Sequence, residues 1–142
     1  MNQNLKGRSL AKVCCQRNPD PEQQRAAIES LVEAGADLQQ TDKNGVTPLH
    51  HAVRFRSPAA VEVLLKYGAA VNQTCKRSHS TALHRAVTST GAPGTAGKAA
   101  EARKIIEILL RYGADPHIKN KSGKTPADYA RDEATRRLLG AS

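Results

Sequence analysis

Apolar residues recur along this chain in short bursts at helical spacing, and each burst ends at a glycine. Val61, Leu64 and Leu65 fall on one face of a helix that Gly68 closes, because glycine takes the left-handed conformation that a Cβ disfavours. Ile28, Leu31 and Val32 repeat the stripe before Gly35, and Ile108, Leu109 and Leu110 repeat it before Gly113. The starts are equally marked. Thr47-Pro48 and Ser57-Pro58 each combine a capping hydroxyl with a proline, whose fixed φ and missing amide suit the first helical position. Asp20-Pro21 gives the same signal earlier. The pattern predicts a short helix from about Pro48 to Phe55, a second from Pro58 to Gly68, and a longer one over Lys98 to Leu110. The polar segments between these pairs, with their Asn and Gly, suit hairpins. One unit is therefore helix, turn, helix, hairpin.

The unit is written several times. Thr47-Pro48-Leu49-His50 returns as Thr81-Ala82-Leu83-His84, and Leu64-Leu65-Lys66-Tyr67-Gly68-Ala69 returns as Leu109-Leu110-Arg111-Tyr112-Gly113-Ala114. Gly35 and Gly68 lie 33 residues apart, Thr47 and Thr81 lie 34 apart, and Gly68 and Gly113 lie 45 apart, so the third unit carries an insertion. A period near 33 marks a supersecondary unit that buries its apolar face only by stacking on copies of itself.

These residues resemble the ankyrin repeat, whose pattern is nearly complete from Asp42 to Asn72 and covers most of the chain. The resemblance implies an all-α fold, an ankyrin-repeat solenoid of stacked helix-turn-helix units with projecting hairpin loops. It divides residues 1–142, taken as one domain, into units at about 6–38, 39–71, 72–116 and 117–140, with an inserted loop at about 88–98. Gly123-Lys124-Thr125-Pro126 opens the last unit. In the first, Gly7-Arg8-Ser9 stands where Gly45-Val46-Thr47 stands, which puts Cys14 at the small-residue position of Ala52, Ala86 and Ala130. The end units are expected to be atypical because their outer faces meet water. His50 and His84 fall on the motif histidine, which the resemblance makes a structural bond between finger and first helix. Arg56 stands where a helix-ending glycine is usual, and Ser78-His79 replaces the turn glycine of the third finger.

Candidate chemistry is quickly reduced. The three cysteines include the neighbours Cys14 and Cys15, poor geometry for a mutual disulfide, and Cys75 with His79 is too small a set for zinc. Neither a metal nor a cofactor is expected. Gly91-Ala92-Pro93-Gly94-Thr95-Ala96-Gly97-Lys98-Ala99 imitates a phosphate-binding loop but has Ala92 at the first glycine position and Ala99 where Ser or Thr would hold magnesium. With no activated nucleophile or acid pair, an enzyme is not expected. No apolar run reaches the roughly 18 residues of a membrane helix, and Met1-Asn2-Gln3-Asn4 lacks a secretory core. The expectation is an intracellular monomer, cytoplasmic or nuclear.

Charge bears on the partner. The formal net charge is +9 and the pI about 9.8, yet residues 1–42 hold 5 basic and 6 acidic side chains against 17 and 7 in residues 43–142. In the resembling family, partners lie along a concave side made by the fingers and first helices. The fingers supply Lys43 and Asn44, then Lys76, Arg77 and His79, then Lys119, Lys121 and Lys124. The first helices add His51, Arg54, Phe55 and Arg85. Stacking would align these into one basic strip, with Phe55 as an apolar anchor, that draws an acidic partner. The expected function is a non-enzymatic protein-protein interaction module, binding an acidic or phosphorylated segment of another protein. The alternative is a nucleic-acid-binding module that uses the same strip on phosphates. Aromatic residues make up only 3% of the chain, which leaves little for stacking on bases.

Overall fold

Proline sets the first turn of four helical segments in a computed structural model that describes residues 10–15, 20–42, 45–88, 99–131 and 133–140. Helical backbone over residues 10–14 forms α1. It is followed by α2 (Pro21–Glu33), α3 (Pro48–Arg54), α4 (Pro58–Lys66), α5 (Ala82–Thr88), α6 (Ala99–Arg111), the 3-10 turn η1 (Pro126–Tyr129) and α7 (Glu133–Leu138). The inserted loop beyond Thr88, the loop-like segment 91–98, the motif at residues 7–9, Lys43 and Asn44 all lie outside the described residues.

Caps follow the sequence in part. The Asp20 carboxylate accepts from the amides of Glu22 at 2.9 Å and Gln23 at 3.3 Å, and the Thr47 hydroxyl accepts from the His50 amide at 3.2 Å. Ser57 departs from the expectation: it is the N-cap of α4, but its hydroxyl makes no cap hydrogen bond. The turn before it supplies the reason. Arg56 takes φ 54°, and the Ser57 amide bonds back to Ala52 O at 3.0 Å, so the backbone reverses on its own hydrogen bonds.

The second helices end alike three times. Ala36, Ala69 and Ala114 donate to Leu31, Leu64 and Leu109 at 2.9, 3.0 and 2.9 Å, around Gly35, Gly68 and Gly113 with φ of 100°, 101° and 94°. That double return of amides onto the last turn satisfies carbonyls the helix leaves open and requires a positive φ.

Packing is in two layers. The second helices stack as α2 on α4, α4 on α6 and α6 on α7, and the first helices as α3 on α5 and α5 on η1, with α3 against α4 and α5 against α6 joining the layers. The buried apolar cluster between them runs from Leu10 to Leu139 and includes Ile28, Leu49, Leu64, Leu83 and Leu109. Cys14 is fully buried, and Ala52, Ala86 and Ala130 at the equivalent positions of the later units are buried too, as its repeat position predicts. Burial pushes its thiol up to about 12, with neighbouring Cys15 adding to the effect.

Hydrogen bonds repeat across the units as well. Gln39 donates to Gly68 O at 3.3 Å and accepts from the Ala70 amide at 3.2 Å. One unit later, Asn72 donates to Gly113 O at 3.2 Å and accepts from the Asp115 amide at 2.8 Å. A single side-chain amide thus ties the terminus of α2 to that of α4, and that of α4 to that of α6.

Candidate partner-binding face

The fingers are turns rather than ladders; no strand occurs among the described residues. Each is closed by a pair of backbone bonds: Asp42 to Val46 O at 3.0 Å with Gly45 to Asp42 O at 2.9 Å, Cys75 to Ser80 O at 3.0 Å with His79 to Cys75 O at 2.9 Å, and Asn120 to Lys124 O at 2.9 Å with Gly123 to Asn120 O at 2.9 Å. The third spans one residue more than the others. At the turn position of Gly45 and Gly123, both at φ 73°, it has His79 at φ 55°. His79 therefore does the conformational work of the missing glycine, while its ring is exposed.

The motif histidines hold the fingers to the helices. Nε2 of His50 donates to Ser80 O at 3.0 Å, which leaves Nδ1 to accept from the Thr47 hydroxyl at 2.7 Å. His84 repeats the arrangement with Lys124 O at 2.9 Å and the Thr81 hydroxyl at 2.9 Å. Each histidine bonds the finger of the following unit, so the structural role expected of both is what the geometry provides. Burial holds the His50 imidazole down at about 4, only partly opposed by its bond to Ser80 and reinforced by the Arg85 charge. It is neutral at pH 7, as one bare nitrogen requires.

A second periodic contact lies nearer the surface. His51, Arg85 and Tyr129 occupy the residue after the motif position in successive units, and each meets the first residue of its own finger. His51 Nε2 lies 3.3 Å from the Asp42 carboxylate, Arg85 Nη2 donates to Cys75 Sγ at 3.9 Å, and Asn120 Nδ2 donates to the Tyr129 hydroxyl at 2.9 Å. Three different chemistries serve one geometry. His51 is held down by burial against the pull of Asp42. At Cys75, which is 1% exposed, burial raises the thiol, but bonds from Ser78, from the Ser80 amide and from Arg85 outweigh it and bring it to about 7.

The fingers also touch each other. A Cβ at Gly45 would overlap Cβ and the backbone nitrogen of Lys76, so the second finger lies directly on the third. The Lys121 amide donates to Ser78 O at 2.9 Å and joins the third to the fourth. From this scaffold Lys76, Arg77, Lys119, Lys121 and Lys124 stand exposed. Arg54 is exposed with its guanidinium 6.0 Å from the centre of the Phe55 ring, and Phe55 itself is half-buried. Asp42, an acidic group at the fingers, accepts from the Val46 amide at 3.0 Å as well as meeting His51. The expected residues therefore divide: Lys76, Lys119, Lys121, Lys124, Arg54 and Arg77 are solvent-facing, whereas His51 and Arg85 are partly covered and held from behind. Asp42, Cys75, Asn120 and Tyr129, which do the holding, were not among them. Their signal in the sequence is positional only, since no residue type recurs.

Comparison with known proteins agrees with this architecture. The family model described as ankyrin repeats (3 copies) matches residues 13–120. An ankyrin repeat protein of Fowlpox virus (strain NVSL) is 38% identical over 105 residues, covering 72% of this chain and 28% of the viral protein. The E3 ubiquitin-protein ligase Ufd4 of Drosophila melanogaster is 38% identical over 120 residues, 84% of this chain but 4% of the ligase. Among solved structures, the ankyrin repeat domain of Bcl-3, a member of the IkappaB protein family, superposes with a TM-score of 0.69 at 34% identity, covering 81% of this chain and 46% of that one. The chain spans less than a third of the length of the two relatives it matches in sequence. Within the described residues no helix is long and apolar enough to cross a membrane.

Proposed function

We propose, from the premise that this chain belongs to the ankyrin-repeat family, that it is a monomeric, non-catalytic interaction module whose basic finger face binds an acidic or phosphorylated segment of another protein. Ankyrin repeats are in general protein-protein interaction modules, and the specific reading adds the charge of the partner. The observation that carries it is the sign of the finger face. Five exposed cations, Lys76, Arg77, Lys119, Lys121 and Lys124, stand on the consecutive third and fourth fingers, while the Asp42 carboxylate on the second is occupied by Val46 and His51. A merely solvated surface would mix signs; one sign on rigid fingers steers an opposite charge. The four-unit division at about 6–38, 39–71, 72–116 and 117–140 belongs to the same proposal.

Nucleic acid is the competing ligand, because phosphates would satisfy the same lysines. Phe55 argues against it. Its ring is half-buried against Arg54 rather than presented as a platform for bases. Titrating single- and double-stranded oligonucleotides at low salt distinguishes the two. The protein-binding reading expects weak association that disappears as salt is raised to physiological strength, alongside a protein partner retained at that strength. Tight oligonucleotide binding that survives, with no protein retained, would replace it with the nucleic-acid reading.

A further inference from the structure

An open recess of about 390 Å³ lies between the third and fourth fingers, within the roughly 300–1,000 Å³ range of sites that take small ligands. Arg77 and Ser80 come to it from the third finger, Arg85 from α5, Lys121 and Ser122 from the fourth finger, and Tyr129 from η1. No acidic residue lines it. We propose that this recess seats the phosphoryl group of a phosphorylated side chain in the partner segment. The proposal rests on the reading that an acidic partner lies along the fingers, and it names the group that anchors that partner.

The chemistry favours a phosphoryl group over a carboxylate. A phosphorylated side chain brings a charge of about −1.5 to −2 and three strong acceptor oxygens, and two guanidinium groups with an ammonium and hydroxyls can answer both. The hydroxyls are already oriented. Ser80 Oγ accepts from Ser78 Oγ at 3.0 Å, and the Tyr129 hydroxyl accepts from Asn120 Nδ2 at 2.9 Å, so each can turn its own proton toward an incoming acceptor. The walls are held as well: the Lys121 amide bonds to Ser78 O at 2.9 Å, and Asn120 Oδ1 accepts from the Ser122 and Lys124 amides at 3.0 and 3.1 Å. Donors fixed before binding lose less freedom when the anion arrives. A nucleic-acid strand would need a stacking surface beside its phosphate, and the aromatic ring in the wall, Tyr129, is engaged edge-on with His84 at 6.2 Å.

The test is an NMR titration of the isotopically labelled full chain with three peptide pools, identical except for a fixed central phosphoserine, glutamate or serine. The expected result is movement of the Ser78, Ser80, Lys121 and Ser122 amide signals with the phosphoserine pool, at an affinity about tenfold or more above the glutamate pool. The double variant Arg77→Gln, Lys121→Gln should lose that preference with its unfolding midpoint unchanged, since the Lys121 amide that bonds Ser78 is retained. Equal response to phosphoserine and glutamate would overturn the recess while leaving an acidic partner standing. No response to any pool, together with no charge-dependent protein partner, would overturn both. A single-stranded oligonucleotide that moves the same signals at lower concentration would reassign the recess to nucleic-acid phosphate and overturn the proposal.

Discussion

Nε2 of His84 donates to the carbonyl oxygen of Lys124 at 2.9 Å, while Lys124 as a residue stands exposed on the fourth finger. One residue thus belongs to the scaffold through its backbone and to the candidate face through its side chain. The two roles separate by mutation. Lys124→Ala keeps the carbonyl and should leave stability unchanged while weakening an acidic partner. His84→Ala leaves a buried acceptor and a gap, and should cost about 1–3 kcal/mol in denaturant unfolding. Equal stability losses in both variants would mean that Lys124 is held by more than its carbonyl.

Acid should loosen the stack through His50. Its imidazole sits at about 4 in the folded protein against an ordinary value near 6.5. The unfolded chain therefore binds the extra proton between those values, so stability is full above about pH 6.5 and falls as pH drops toward 4. The loss through this one group is about 3 kcal/mol over that interval. Unfolding of wild type and His50→Gln, measured from pH 7 to pH 4, should show a shallower decline in the variant. Parallel declines would assign the acid sensitivity to other groups.

Two glycines with the same backbone should respond differently to alanine. Gly45 and Gly123 both have φ 73°, which costs a residue with Cβ roughly 1–2 kcal/mol. Only at Gly45 would the new Cβ also strike Lys76; at Gly123 nothing lies within 4 Å. Gly45→Ala should therefore destabilise more than Gly123→Ala, the excess reporting the contact between the second and third fingers. Equal costs would place the fingers further apart.

Leu64 and Leu109 are fully buried at equivalent positions of consecutive second helices. Replacing either with Ala should cost about 2–5 kcal/mol in equilibrium unfolding. An unchanged midpoint in either variant would contradict the two-layer packing.

Much of this was legible in the sequence because repetition fixed the register. Once Thr47, Pro48, His50 and Gly68 were placed, their counterparts in the next unit followed, and so did the burial of Cys14. What could not be read is where the units use unlike residues for one task. Asp42 with His51, Cys75 with Arg85, and Asn120 with Tyr129 are the same contact made by a carboxylate and imidazole, a thiol and guanidinium, and an amide and phenol. No residue pattern announces it, so assigning His51 and Arg85 to the basic strip gave no sign of the groups that support them. Ser57 misled for a different reason. The cap-then-proline signal was present, but the turn at Arg56 had already closed the backbone.

Placement of charge, rather than its amount, is the central claim, and one comparison isolates it. Lys76, Arg77 and Lys121 are reversed to Glu in one variant; Lys66, Lys104 and Arg111, exposed on the second helices α4 and α6, are reversed in another, with the same change in net charge. The affinity of a protein partner captured by the wild type is then measured for both by calorimetry at physiological salt. The account predicts about tenfold or greater loss for the finger variant, little change for the helix variant, and the wild-type unfolding midpoint in each. Equal losses in the two variants, or unaltered affinity in the finger variant, would contradict it.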